Sequence, residues 1–117
     1  MGITNQQKGH WGEQAAAEFL EKKGHTLRER NYRYRRGEID LITEDNGTLV
    51  FVEVKLRRNT RFGTPETLVS PPQRSRINAA AEHYLYQTDW NGAIRFDIVA
   101  ITAQPQLLIE HFEDVFC

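Results

Sequence analysis

Three charged side chains interrupt two of the most apolar stretches of this sequence. Residues 37–57 read GEIDLITEDNGTLVFVEVKLR, in which Asp40 stands between two aliphatic residues while Glu53 and Lys55 alternate with valine and leucine. Charge inside a buried strand costs free energy unless it is paired or holds an ion. Two carboxylates brought together here would suit an oxygen-loving divalent ion such as Mg²⁺ or Mn²⁺.

The turn between the two strands predicts how these side chains face each other. Asn46-Gly47 is typical of a two-residue type I′ hairpin turn. Counting outward from it places Asp40 opposite Glu53 on one face of the sheet. Glu38 falls opposite Lys55 on the same face. Opposed carboxylates about 5 Å apart repel by roughly 3 kcal/mol at an effective dielectric of 20, which a raised pKa, a cation or a bound metal must offset. A solvated antiparallel face is the alternative reading of the same charges.

The rest of the chain predicts the elements that position the hairpin. A helix from about Asn5 to Lys23 and a charged edge strand over 25–34 precede it. Ser70-Pro71-Pro72-Gln73 starts a second helix, with an N-cap, a proline at N1 and a glutamine at N3. The strands IRFDIVAIT and QLLIEHF follow. The order α-β-β-β-α-β-β predicts an α/β fold, with helices flanking a mixed sheet and a helical crossover late in the chain. The first helix carries a predicted apolar stripe of Trp11, Ala15, Ala16, Phe19 and Leu20.

Length and composition limit the classes of protein. The 117 residues predict a single domain over 1–117. No window approaches 18 apolar residues, and the first residues lack the apolar core of a secretory signal, so we expect no membrane association. Because Cys117 is the only cysteine, disulfides and cysteine-ligated zinc are excluded. These features predict a cytoplasmic protein.

Charge is distributed unevenly along a chain whose formal net charge is only −1. Residues 1–76 hold 14 of the 15 Lys and Arg residues, whereas 77–117 hold six of the 16 acids and a single Arg. This asymmetry can present a basic face to phosphate although the whole molecule is nearly neutral. Ordinary solvated charge would explain it equally well. An acidic interaction surface in the C-terminal third is a further alternative.

The site pattern and five sequence blocks resemble known families. Asp40 followed by Glu53-Val54-Lys55 resembles the site of the PD-(D/E)xK nuclease superfamily, whose core is αβββαβ. The blocks GEQAAAEFLEKKG, RNYRYRRGEIDLI, VFVEVKLR, AAAEHYL and RFDIV resemble, in order, those of the small bacterial YraN-like family. That family is similar in site arrangement to archaeal Holliday-junction resolvases. The resemblance implies a restriction-endonuclease-like αβββαβ core with one extra C-terminal strand.

The resemblance also implies a role for each site residue. Asp40 and Glu53 would hold Mg²⁺ or Mn²⁺, with the backbone carbonyl of Val54 as a third ligand. Lys55 would orient or help deprotonate the attacking water and steady the phosphate. Glu13, on the first helix, would complete the metal site as an additional acid.

The resemblance implies one more candidate on the second helix, where the related pattern has a Lys or Gln facing the site: Gln73 occupies this position, and many YraN-like sequences carry Lys there. Either it faces the site or it is present only as the N3 residue of the helix cap. Asp97 in RFDIV lies outside the catalytic pattern, and we expect it to be structural. Phosphates on either side of the scissile bond would be bound by arginines that flank the site in sequence, namely Arg33, Arg35, Arg36, Arg57, Arg58 and Arg61.

The sequence therefore predicts a metal-dependent endonuclease acting on DNA, either duplex or branched. The alternative is a nucleic-acid-binding module with the same fold and little or no catalysis. The analogy with junction resolvases also raises a homodimer as one arrangement, because a junction offers two equivalent strands.

Overall fold

The computed structural model describes residues 5–58, 65–103 and 105–115. That part of the chain forms a mixed α/β structure with two α-helices and five strands, in the predicted order. In sequence the elements are α1 (Asn5–Lys22), β1 (Thr26–Tyr34), β2 (Gly37–Asp45), β3 (Thr48–Arg57), a 3₁₀ turn (Pro65–Leu68), α2 (Pro71–Thr88), β4 (Ile94–Thr102) and β5 (Leu108–Phe112).

The five strands form one mixed sheet in the order β1-β2-β3-β4-β5. Neighbouring strands are antiparallel except for β3 and β4, which run parallel. A parallel pair needs a crossover connection, and α2 lies in the segment that supplies it. As predicted, the charged strand β1 lies at one edge of the sheet.

Local sequence explains both the hairpin turn and the start of α2. Asn46 and Gly47 have φ angles of 50° and 83°, the left-handed pair that a type I′ turn requires. Ser70 is the N-cap of α2, and its side chain accepts a hydrogen bond of 3.3 Å from the Gln73 backbone N–H. Pro71 then occupies a position where no backbone donor is needed.

The core consists of two apolar layers, one on each face of the sheet. Successive residues of β3 alternate between them: Leu49 and Phe51 face α2, whereas Val50 and Val52 face α1. On the α1 face, the side chains of Ala16 and Ala17 are small, so they let the helix approach the strands closely. The larger side chains of the α2 layer include Ile39, Ile42, Ile77, Tyr84 and Ile98.

One predicted core residue lies outside these layers. Trp11 is 45% exposed, although the predicted stripe of α1 included it. The helix is buried further along, at Ala16, Ala17 and Leu20. None of the helices in the described ranges is long and apolar enough to cross a membrane.

Candidate active site

The hairpin ladder opens beside the predicted site. β2 and β3 keep the predicted register for five residue pairs, the last of which is Leu41–Val52. The pair Asp40–Glu53 would come next, but instead the Asp40 Oδ2 atom accepts a hydrogen bond of 2.8 Å from the backbone N–H of Val54. The register counted from the turn thus ends one pair before the two carboxylates. A side chain replaces the backbone acceptor at the point where the strands separate.

The ladder on the other side of β2 is also interrupted, at Asn31 of β1. Asn31 has a left-handed φ of 50°, which asparagine tolerates better than most residues. Near it, the side-chain alternation of β2 breaks: Ile39 and Ile42 both pack in the α2 layer, with Asp40 between them in sequence. The Asp40 carboxylate is therefore placed by a local departure from regular sheet geometry, which the hairpin turn alone does not predict.

Asp40 and Glu53 form a carboxylate pair with little access to water. Glu53 is only 7% exposed. Burial and a hydrogen bond with Glu53, followed by charge repulsion from Glu53, raise the pKa of Asp40 from 3.8 to about 9, although the Val54 amide opposes the shift. Asp40 therefore holds a proton at neutral pH unless a cation replaces it. Oxygen donors of this kind fit a hard divalent ion such as Mg²⁺ or Mn²⁺.

Gln73 of α2 connects Glu53 and Lys55 of β3. Its Nε2 atom donates a hydrogen bond of 2.5 Å to Glu53 Oε2, and its Oε1 atom accepts one of 3.2 Å from Lys55 Nζ. Its backbone N–H is the group capped by Ser70. Of the two explanations that the sequence left open, the Gln73 side chain faces the site, while only its backbone takes part in the cap.

Two further acids approach Asp40 from α1 and β2. One oxygen atom from each of Glu13, Glu38 and Asp40 lies within 4.8 Å of the others. The Asn31 Nδ2 atom donates hydrogen bonds of 3.0 Å to both Glu13 and Glu38. Burial raises the pKa of Glu13 and the Asn31 hydrogen bond lowers it, while Asp40 and Glu38 raise it further, with a net upward shift. Glu13 thus lies close to Asp40, and its role as an additional metal ligand stays a prediction.

A polar cavity of about 240 Å³ lies over these groups. Its wall includes the carboxylates Glu38, Asp40 and Glu53 and the amide of Gln73. The cavity gives a ligand access to the paired carboxylates. Its remaining lining residues are Arg36, Gly37, Arg76 and Ile77.

The predicted DNA-binding arginines do not form one group. Arg36 lines the cavity, and Arg33 lies beside it in space, with its Nε atom 3.3 Å from Glu38 Oε2. The Arg35 guanidinium covers the Tyr34 ring, 5.2 Å from its centroid.

Two of the other predicted arginines, Arg57 and Arg58, lie at the C-terminal end of β3 and directly after it. Arg57 donates to Thr102 and Glu110, so these contacts give no support to its predicted role in binding phosphate. Arg58 is exposed, and Arg61 lies outside the described residues.

Sequence reasoning missed Asn31 and Arg76 as site residues. Both reach the site through tertiary geometry, Asn31 from the edge strand and Arg76 from α2. The only sequence signal for Arg76 is its spacing three residues after Gln73, which puts both on one face of a helix.

A second polar cluster surrounds Asp97, which is 1% exposed. Its carboxylate accepts hydrogen bonds from the Arg95 guanidinium, from His111 Nε2 at 2.7 Å and from the Asp114 backbone N–H at 3.0 Å. Burial tends to raise the pKa of Asp97, but the hydrogen bonds from His111 and Arg95 lower it overall. Lys23 donates to the other ring nitrogen of His111 at 2.7 Å. These contacts agree with the structural role expected for Asp97.

Comparison with known proteins places the chain in a bacterial family. Residues 12–101 match the family described as Uncharacterised protein family UPF0102. A UPF0102 protein of Cytophaga hutchinsonii is 46% identical over 109 residues, which cover 93% of this chain and 95% of that protein. A UPF0102 protein of Syntrophomonas wolfei is 46% identical over 114 residues, covering 96% and 99%. The YraN-like relationship predicted from the five sequence blocks is thereby confirmed, and the chain belongs to the UPF0102 family.

Proposed function

We propose that the protein is a divalent-metal-dependent endonuclease that hydrolyses phosphodiester bonds in DNA and has a restriction-endonuclease-like fold. One observation carries the proposal: Asp40, Glu53 and Gln73 line one cavity beside the point where the sheet ladder opens, and Gln73 links Glu53 to Lys55. The order αβββαβ, followed by β5, supports it as the framework expected of a PD-(D/E)xK nuclease.

The metal would be held by carboxylates that approach from three elements. Asp40 and Glu53 would bind Mg²⁺ or Mn²⁺, with Glu13 as an additional acid and the Val54 carbonyl as a backbone ligand. When bound, the ion would activate water for attack and stabilise the charge that develops on the phosphoryl group. The proton that Asp40 holds in the metal-free protein would leave as the ion enters.

Lys55 and Gln73 would act on the water and the phosphate. Lys55 supplies an ammonium held in place by the Gln73 carbonyl, so it can orient the attacking water and neutralise a phosphate oxygen. Gln73 also donates to Glu53, and this hydrogen bond fixes the orientation of the carboxylate. A neutral amide here adds no positive charge of its own.

That neutral amide is the observation that favours a second candidate, a nucleic-acid-binding module with little catalysis. If Gln73 cannot replace the Lys of related sequences, the cavity would bind metal and DNA without efficient cleavage. Substrate cleavage distinguishes the candidates, whereas binding alone does not. Under either reading we expect a cytoplasmic protein that binds duplex or branched DNA, and a homodimer would suit a junction with two equivalent strands.

The first test is calorimetric binding of Mg²⁺ and Mn²⁺ to wild type, Asp40→Asn and Glu53→Gln. We expect binding in the wild type and at least a tenfold loss of affinity in each variant. Glu21→Gln is the matched control, because it removes an exposed α1 carboxylate away from the cavity. A wild-type protein that binds neither ion, even with DNA present, would sink the proposal.

Cleavage of linear, flapped and four-way DNA is the second test. Lys55→Ala is expected to retain metal binding while losing at least a hundredfold in cleavage rate. Gln73→Lys adds the missing charge and is expected to retain or increase the rate. Metal binding without cleavage of any of the three substrates would favour the binding module.

A further inference from the structure

Two guanidinium groups line the cavity from different elements, Arg36 from the turn between β1 and β2 and Arg76 from α2. Both residues are exposed. In the described ranges of the chain, neither guanidinium forms a salt bridge, although carboxylates line the same cavity. Because the guanidinium groups of Arg36 and Arg76 are not paired with the carboxylates of the cavity, an anion can bind to them on the side that faces away from these acids.

A backbone contact keeps these two residues next to each other. A β-carbon added at Gly37 would lie 2.2 Å from the carbonyl oxygen of Arg76, a distance that real atoms do not reach. Only glycine therefore allows α2 to pack this closely against the start of β2. Since Arg36 directly precedes Gly37, the contact fixes the origins of both side chains at one wall of the cavity.

The geometry of α2 places this wall beside the reacting groups. Gln73 and Arg76 are three residues apart and Ile77 is four from Gln73, so the three share one face of the helix. Ile77 is buried and anchors that face, while Gln73 contacts Glu53 and Lys55. Arg76 therefore lies one helical turn further from the start of α2 than the residue that contacts the site.

We infer that Arg36 and Arg76 together bind one phosphate of the DNA backbone next to the phosphodiester that would be cut. Guanidinium groups recognise phosphate through paired N–H donors, and two of them can hold one group from two sides. The carboxylates repel DNA, so cations across the cavity would offset this repulsion and set the position of the strand. The contact is to the backbone and carries no base specificity. This inference rests on the proposed function, from which it takes DNA as the ligand.

The test is the salt dependence of DNA binding, measured by fluorescence anisotropy with a short labelled duplex in Mg²⁺. All proteins carry Lys55→Ala so that the DNA stays intact. Each of Arg36→Ala and Arg76→Ala is expected to weaken binding about tenfold and to reduce the slope of log affinity against log salt by about 1. The double variant should reduce the slope by about 2, equally for duplexes of different sequence.

Two control variants separate phosphate binding from charge and folding. Lys22→Ala removes one exposed positive charge at the far end of α1 and should leave the slope close to that of the parent. Arg76→Lys keeps the charge but loses the paired donors, so it should keep the slope and bind more weakly. Arginine variants that behave like Lys22→Ala would overturn the inference. A protein that binds no metal yet shows the reduced slopes would instead contradict the nuclease and leave the phosphate contact standing.

Discussion

Asp40 of β2 and Asp97 of β4 lie in the same sheet, but their pKa values are shifted in opposite directions. Asp97 has a lowered pKa, because His111, Arg95 and a backbone N–H overcome the effect of burial. Asp40 has a pKa raised to about 9, because burial and the neighbouring Glu53 are opposed by little more than one amide. Asp97 has cationic and hydrogen-bonding partners within the fold, whereas no cation pairs with Asp40 in the part of the chain that the structure describes.

The difference separates a structural acid from a candidate ligand. A fully partnered carboxylate stabilises the fold and has no free lone pairs for an ion. A carboxyl group whose pKa is raised in the folded state destabilises the metal-free protein at neutral pH, and beside a second carboxylate it provides a site that favours a divalent ion. Nearness of acids alone does not make this distinction, because Asp97, His111 and Glu113 also lie close enough together to hold a metal.

The largest effect is expected for Asp97→Asn. The substitution removes the buried negative charge between Arg95 and His111, so that Arg95 keeps only Asp45 and Glu113 as partners and the donors that faced Asp97 lose their charged acceptor. We expect the free energy of unfolding to fall by about 3–5 kcal/mol, measured by urea denaturation at pH 7. A loss below about 1 kcal/mol would mean that the Asp97 cluster does not stabilise the fold.

The opposite sign is expected for Asp40→Asn in metal-free protein. Asparagine keeps an acceptor for the Val54 N–H and can donate to Glu53, but it cannot ionise. We expect a gain of about 1–3 kcal/mol in the free energy of unfolding at pH 8, because Asp40 must take up a proton on folding at this pH and asparagine need not. If this variant is destabilised as much as Asp97→Asn, the contrast between the two sites is wrong.

The pH dependence of stability should follow Asp40. Its folded-state pKa of about 9 exceeds the value of 3.8 for an unperturbed aspartate, so the folded protein holds an extra proton between these limits. Stability in the presence of a chelator should therefore fall as pH rises from about 4 to about 9. Asp40→Asn should flatten this dependence. Asp97, whose pKa is lowered, acts only in acid, where its contribution is lost as pH falls below about 4.

The smallest effect is stabilisation by Mg²⁺. An ion that binds only the folded protein adds about 1.4 kcal/mol at ten times its dissociation constant. We expect this increment in the wild type by thermal or urea unfolding, and none in Asp40→Asn. Stabilisation that survives in Asp40→Asn but disappears in Glu113→Gln would place the ion at the Asp97 cluster instead.

Elements set by short-range chemistry were predictable from the sequence. The Asn46-Gly47 turn fixed the register of five strand pairs, and Ser70-Pro71 marked the start of α2 correctly. Both signals act through backbone geometry within four residues, so no tertiary information was needed. The helix between β3 and β4 indicated a crossover in a mixed sheet, and these two strands do run parallel.

Features that depend on contacts between distant elements were not predictable in the same way. β2 and β3 separate at Asp40, near a residue of β1 that has a left-handed φ. The sequence does not show which asparagine adopts this conformation. Trp11 fitted the stripe of α1 by spacing, yet its side chain is 45% exposed although the neighbouring Gly12 is buried against Leu56. The bound Mg²⁺ or Mn²⁺, the DNA substrate and the homodimer remain predictions from the sequence. The cavity is the site at which the first two can be tested.

Asn31 also has a consequence for the outer border of the sheet. An edge strand offers unpaired N–H and C=O groups on which another chain can add a strand and begin to aggregate. The left-handed φ of Asn31 and the shift in register between Leu27 and Glu29 interrupt the regular spacing of these groups on β1. The charged side chains of Arg30 and Arg33 further disfavour an added strand. The distortion that places the acids thus also protects β1 against edge-to-edge association.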